Sequence, residues 1–89
     1  MCRNIKPLFN FEPPASEHEI HEASLQFVRK VTGFRKPSNA NEAAFEAAVE
    51  AIAAASSQLL NSLETNAPPR DRMQEAARAH ARALRRFAA

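Results

Sequence analysis

The feature that most constrains the fold of this chain is where its helix-breaking residues fall. Its six prolines and single glycine lie in three places, at residues 7–14, 33–37 and 68–69. Proline cannot continue a helix and glycine weakens one, so these places separate three stretches with helical periodicity. The sequence therefore predicts an all-α fold, in which helices over about 16–32, 39–64 and 69–87 form a small three-helix bundle.

The first fifteen residues are predicted to form an extended N-terminal arm that packs on the bundle. Three prolines keep this segment out of a helix. Four large apolar residues make it too hydrophobic to remain in water: Ile5, Leu8, Phe9 and Phe11. A chain of 89 residues is one domain, so we divide it into an arm over 1–15 and a three-helix domain over 16–89.

Residue patterns at the helix ends support these boundaries. Ser16 precedes Glu19 by three positions, which is the spacing of a capping box at the start of the first helix. Gly33 stands where the first helix needs a residue with positive φ to end. The second helix is expected to begin at a cap formed by Ser38 or Asn39.

In the third helix, the apolar stripe includes His80, which we expect to face the core.

Composition and charge limit the classes of function. The single cysteine cannot form an internal disulfide, no apolar run approaches the length of a membrane span, and the N-terminus lacks the apolar segment of a signal peptide. We therefore predict a cytoplasmic protein with no membrane partner. A domain this small has little room for a deep cleft, so we predict no catalytic residue and no resident cofactor, and we leave open whether the chain is an enzyme.

Several segments carry a resemblance to a known family. The chain opens with Met1-Cys2-Arg3-Asn4-Ile5-Lys6, and LFNFEPPA follows at 8–15. Later segments include LQFVRKV at 25–31, NEAAF at 41–45 and PPRDR at 68–72. With these segments, the chain resembles a family of small bacterial proteins of unknown function. The resemblance covers nearly the whole sequence and implies no activity, substrate or cofactor.

The second helix has an unusual back, opposite its apolar stripe. Small residues occupy this side where a solvated face would carry charges: Ala43, Ala44, Ala47, Ala51 and Ala54. Such a face allows another helix to approach closely, either from a second copy or from a different protein. Alanine is also the best helix former, so the same pattern is compatible with a purely structural role.

The third helix carries arginines opposite its apolar stripe. These are Arg78, Arg82, Arg85 and Arg86. A basic face of this kind can bind phosphates, which makes nucleic acid a possible partner. Arginines in the last turns of a helix also complement the helix dipole, and the net charge of the chain is only +2.

A thiol and two imidazoles are the candidate metal ligands. His18 and His21 lie three positions apart on one helix, so their rings can converge on an ion. Cys2 on the arm could add a third ligand and complete a set that suits zinc. The alternative interpretation is a solvated first helical turn and an incidental cysteine.

The alanine back of the second helix and the arginine face of the third are not needed for the predicted core. Together they predict a small non-catalytic helical interaction module. We expect it to form a homodimer or to bind another macromolecule through the back of the second helix and the basic face of the third. The first alternative is a metal- or thiol-dependent activity at Cys2 with His18 and His21. The second alternative is nucleic-acid binding through the arginine face.

Overall fold

The computed structural model describes residues 5–88, and the side chains of residues 5–86. In chain order, the elements are β1 (Phe11–Glu12), α1 (Glu17–Thr32), α2 (Glu42–Ser62), β2 (Arg70–Asp71) and α3 (Arg72–Ala88). The predicted all-α class with three helices is confirmed. The two strands are a two-residue parallel ladder. Among the described residues, no helix combines the length and apolar character that crossing a bilayer requires.

Both ends of α1 follow the predicted capping. The Ser16 hydroxyl accepts a hydrogen bond from the Glu19 N–H, and the Glu19 carboxylate accepts one from the Ser16 N–H. Gly33 ends the helix with φ of 76°, and its N–H donates to the Arg29 carbonyl. The capping box and the glycine stop are therefore confirmed.

The start of α2 differs from the prediction. The helix begins at Glu42 rather than near residue 39. The Asn41 N–H donates to the Ser38 carbonyl at 3.0 Å, which closes a turn over residues 38–41. The chain becomes helical only after this turn, and the helix ends at Ser62 because Leu63 is already extended.

The first two helices form an antiparallel hairpin with a small core. Val28 of α1 packs with Phe45 and Val49 of α2. Ser24 is also buried, and its hydroxyl donates to the Ile20 carbonyl, so the buried polar group is satisfied. Val31, in the last turn of α1, is 67% exposed and lies outside this core.

The arm lies over the groove between α1 and α2. Ile5 and Leu8 line this groove together with Phe27 and Leu60, and both arm residues are partly buried. The apolar content of the arm is therefore used to cover the open edge of the hairpin core.

The third helix is placed differently from the first two. It begins at Arg72 rather than near residue 69, because Arg70 and Asp71 are extended and pair with Phe11 and Glu12 of the arm. The Asp71 carboxylate accepts a hydrogen bond from the Gln74 N–H at 2.9 Å and caps the helix. Within the described chain, α3 contacts mainly the short strand before it, whereas α1 and α2 pack along one another.

We expect Phe45→Ala to reduce the free energy of unfolding by about 3 kcal/mol, because this ring fills the centre of the hairpin core. Phe34→Ala is the matched control, since that ring is 42% exposed, and it should cost less than about 1 kcal/mol. Urea denaturation followed by circular dichroism measures both values. Equal losses in the two variants would contradict the position of the core.

Candidate partner-binding surface

The third helix is anchored at its first residue by the side chain of Arg72. The Arg72 Nε donates to the Pro13 carbonyl at 2.7 Å. Its two terminal nitrogens donate to the two carboxylate oxygens of Glu19, at 2.8 and 3.0 Å. A bidentate guanidinium–carboxylate contact fixes the orientation of the two groups as well as the distance between them. We call Pro13, Glu19 and Arg72 the Arg72 clamp, because it joins the arm, α1 and α3.

Glu19 serves the clamp and the helix cap at once. Its Oε1 accepts from the Ser16 N–H and from Arg72, both at 3.0 Å. The hydrogen bond from Arg72 is the main reason that the pKa of Glu19 lies below its ordinary value, and the bond from the Ser16 backbone adds to the shift, while loss of solvent opposes it. The capping box thus holds an ionised carboxylate where Arg72 can reach it.

A second set of contacts connects the arm to the segment before α3. Asn10 has a positive φ of 63°, a conformation that asparagine adopts more readily than most residues. Its side-chain amide donates to the carbonyls of Ala67 and Pro68, and its own carbonyl accepts from the Arg70 N–H at 2.8 Å. These bonds align the two short strands.

The ring of Phe11 lies beside two guanidinium groups. The Cζ atoms of Arg70 and Arg72 are 5.6 and 5.4 Å from the ring centroid, which is within the range of cation–π attraction. Phe11 and Arg72 belong to two of the segments that carry the family resemblance, 8–15 and 68–72. Helical periodicity does not identify this contact, because the contact joins residues about sixty positions apart. The one feature of the sequence that pointed to these residues was the presence of both segments in the family resemblance.

After its first residue, Arg72, α3 exposes its apolar side. Met73 is 83% exposed and Leu84 is 56% exposed. The other members of this side are also exposed, and we call the set the α3 apolar face: Met73, Ala76, Ala77, His80 and Leu84. The expectation that His80 faces the core is therefore wrong. The reason is that α3 is held at its N-terminal end and does not lie against the hairpin core.

The opposite side of α3 carries the predicted arginines, which we call the arginine flank: Arg78, Arg82, Arg85 and Arg86. All four are exposed. Arg78 forms an ion pair with Glu75, three positions earlier, at 3.0 Å. Within the part of the chain whose side chains are described, the other three form no ion pair. The flank thus presents several unneutralised positive charges.

The back of α2 is exposed as well. Ala43, Ala47, Ala51 and Ala54 all face solvent, and we call them the α2 alanine face. Three exposed acids run along one edge of this face in four-residue steps: Glu42, Glu46 and Glu50. The α2 alanine face is therefore a smooth surface with a row of negative charge beside it.

Within the described part of the chain, the candidate metal ligands do not form a cluster. His18 is exposed, whereas His21 is half-buried and its Nε2 lies 3.5 Å from the Glu50 carboxylate of α2. Cys2 lies outside the described residues. Over residues 5–88, no three histidine, cysteine or acidic side chains are grouped so that they could hold an ion. Zinc bound by Cys2 with the two histidines stays a prediction from the sequence.

An open groove of about 810 Å³ lies between the second half of α1 and the first half of α2. Its lining mixes bases and acids, including Arg29, Arg35, Glu46 and Glu50. Because charges of both signs line the groove, it does not select an anion or a cation. The arrangement of the chain therefore points to its helix surfaces as the places where binding can occur.

Comparisons with known proteins agree with the resemblance seen in the sequence. A family model described as "Uncharacterized conserved protein (DUF2277)" matches residues 1–78. This range includes the whole Arg72 clamp and α2, and it ends within α3. No curated protein and no solved structure matches the chain.

We expect Glu19→Gln to loosen the attachment of α3 without removing the cap of α1, because glutamine at this position also satisfies a capping box. The Arg70 N–H, which bonds across to the arm, should exchange with solvent several-fold faster. Amide hydrogen exchange measures the rate. Glu22→Gln changes an exposed acid of the same helix outside the clamp and should leave the rate unchanged.

The same contact should depend on pH. Since the pKa of Glu19 is lower in the folded than in the unfolded chain, its contribution is complete above the unfolded value and is lost as the pH falls through the folded value. Exchange at Arg70, corrected for its intrinsic pH dependence, should therefore rise on acidification in the natural chain. Glu19→Gln should lack this step, and an identical acid response in both chains would rule out the clamp as its cause.

Proposed function

Because this chain belongs to the DUF2277 family, whose description assigns no activity, we propose its function from its exposed surfaces. The chain is a small non-catalytic helical interaction module that associates with a second copy of itself. The observation that carries this proposal is the amount of surface that the single chain leaves exposed.

The exposed area is too large for a compact monomer. The chain exposes 7363 Å², whereas a compact monomer of 9.8 kDa exposes about 5,200 Å². Its radius of gyration is 15.9 Å, against about 12 Å for a compact domain of this length. The excess area is about 2,200 Å², while each partner in a standard protein interface contributes about 800 Å². One chain therefore has more than enough unburied surface for a stable dimer.

Large apolar side chains contribute to this excess. On α3 they are Met73 and Leu84, and on the hairpin they are Phe27, Val31, Leu59 and Leu63. Burial of such side chains contributes about 1.5–3 kcal/mol each. Their exposure on a domain with a small core supports association as the step that completes the hydrophobic packing.

A second copy is the partner that we favour, because the chain carries both signs of charge on separate helices. The α2 segment contains acids and no base, whereas α3 contains five arginines and one acid. A protein with two opposite surfaces can satisfy both in a symmetric dimer. Nucleic-acid binding through the arginine flank stays a prediction from the sequence, as does a metal- or thiol-dependent activity at Cys2.

We also propose that the module works in the cytoplasm of a bacterium. The single cysteine supports a reducing compartment, because it leaves the fold without an internal disulfide. Bacterial origin rests on the resemblance described from the sequence.

We expect the natural chain to sediment as a dimer at micromolar concentration, and Leu84→Glu to weaken the dimer at least about tenfold, because a charge would enter the apolar contact. Sedimentation equilibrium over a range of concentrations measures the association constant. Gln74→Glu adds the same charge to the polar side of α3 and should leave association within about threefold of the natural value.

The core lies away from position 84, so both variants should retain the helical circular dichroism of the natural chain. A natural chain that stays monomeric at every concentration would overturn the proposal. Equal effects of the two variants would remove the α3 apolar face from the interface.

A further inference from the structure

We infer that a pocket at the C-terminal end of α1 binds a nucleotide, with the phosphate held by basic side chains and the planar base against the ring of Phe34. The pocket has a volume of about 420 Å³, which lies within the range of small-molecule sites, about 300–1,000 Å³. Its lining comes from a single chain, so the site does not depend on the proposed self-association.

The charge of this pocket is of one sign. Arg29, Lys30 and Arg35 line it, and no acid among the described residues does. This distinguishes it from the larger groove between α1 and α2, where acids and bases are mixed. The sequence around the pocket has the same bias, because residues 23–41 contain four bases and no acid. A pocket lined in this way attracts an anion.

The basic side chains of the pocket have unused binding capacity. Within residues 5–86, whose side chains are described, none of the three forms an ion pair. The Nε atom of Arg29 is also buried and has no hydrogen-bond partner in this part of the chain. Buried donors without an acceptor are rare, since each one costs free energy. An anion beside these groups would supply acceptors that the chain itself does not.

The dipole of α1 accounts for two of these bases and not for the third. Bases in the last turn of a helix commonly complement its dipole, as Arg29 and Lys30 can. Arg35 lies beyond the end of the helix and still lines the pocket. The carbonyls of Val28 and Arg29 are already satisfied, because they accept from the Thr32 hydroxyl at 2.7 Å and from the Gly33 N–H at 2.8 Å. The pocket therefore collects more positive charge than the helix end requires.

An exposed aromatic ring distinguishes the ligand from a simple anion. Phe34 lines the pocket and is 42% exposed. Its position is fixed by the end of the helix, because its N–H donates to the Thr32 hydroxyl oxygen at 3.1 Å. Proteins that bind nucleotide units combine an aromatic side chain, on which a base stacks, with cations along the phosphate. Inorganic phosphate would leave the ring unused, whereas a nucleotide uses both parts of the pocket.

Titration of the full-length protein with adenosine monophosphate tests the site, with NMR of the backbone amides as the measurement. The signals of Gly33, Phe34 and Arg35 should shift, and the nucleotide should bind at least about fivefold more tightly than inorganic phosphate because its base stacks. Phe34→Ala should remove this difference and leave phosphate binding within about twofold of the natural value. The ring lies outside the core, so this variant should stay folded.

A matched pair of arginine variants tests the phosphate contact. Arg35→Gln should weaken both ligands at least about fivefold, because a charge-assisted hydrogen bond is lost. Arg82→Gln removes the same charge from the arginine flank of α3, outside the pocket, and should leave both affinities within about twofold of the natural values.

A short single-stranded RNA distinguishes the two sources of a nucleotide. An affinity similar to that of adenosine monophosphate would support a free nucleotide as the ligand. Binding at least about tenfold tighter, and weakened by Phe34→Ala and Arg35→Gln, would support a nucleotide within a strand.

Any of three results would overturn the nucleotide site. The first is the absence of shifts at Gly33, Phe34 and Arg35 with about 10 mM nucleotide, since such a ligand would bind too weakly to be specific. The second is equal affinity for the nucleotide and for phosphate in the natural chain. The third is an equal loss in Arg35→Gln and Arg82→Gln, which would indicate a general effect of charge. Each of these results leaves self-association unaffected, because sedimentation measures it without ligand.

Discussion

The contact between Arg72 and Glu19 is the constraint on which the arrangement of this chain depends. Arg72 is the first residue of α3, and its guanidinium group reaches both the arm, at the Pro13 carbonyl, and α1, at the Glu19 carboxylate. The capping box of α1 has already oriented that carboxylate. A local motif at a helix end thus provides a fixed acceptor for a residue more than fifty positions later, and the direction in which α3 leaves the hairpin follows from it.

The clamp also explains why this domain has a small core and a large surface. It fixes α3 at one end, and over the described residues the rest of the helix does not pack along α1 or α2. The hydrophobic core is therefore confined to the hairpin, where Val28, Phe45 and Val49 meet. The surface that α3 would have covered in a closed bundle stays exposed. In this chain the tether and the exposed apolar surface are two consequences of the same contact.

Much of the secondary structure could be predicted from the sequence, and the physical reasons are local. The Ser16 capping box, the stop at Gly33 and the three helical stretches depend on backbone hydrogen bonds within a few residues. The errors have non-local causes. The start of α3 moved to Arg72 because residues 70 and 71 pair with the arm, and His80 is exposed because the packing of α3 depends on its anchor. Of the candidate site, the sequence indicated the alanine face and the arginines, but it did not indicate the clamp.

By itself, the sequence determined the class of fold, the ends of α1 and the family, because helix formation and capping are encoded in short stretches of chain. Only the tertiary structure decided which faces of those helices stay in water. An amphipathic pattern shows that a helix has an apolar side, but the same pattern results whether that side meets its own core or another molecule. The choice depends on where the helix is attached, and here that is decided by one arginine meeting one glutamate across most of the length of the chain.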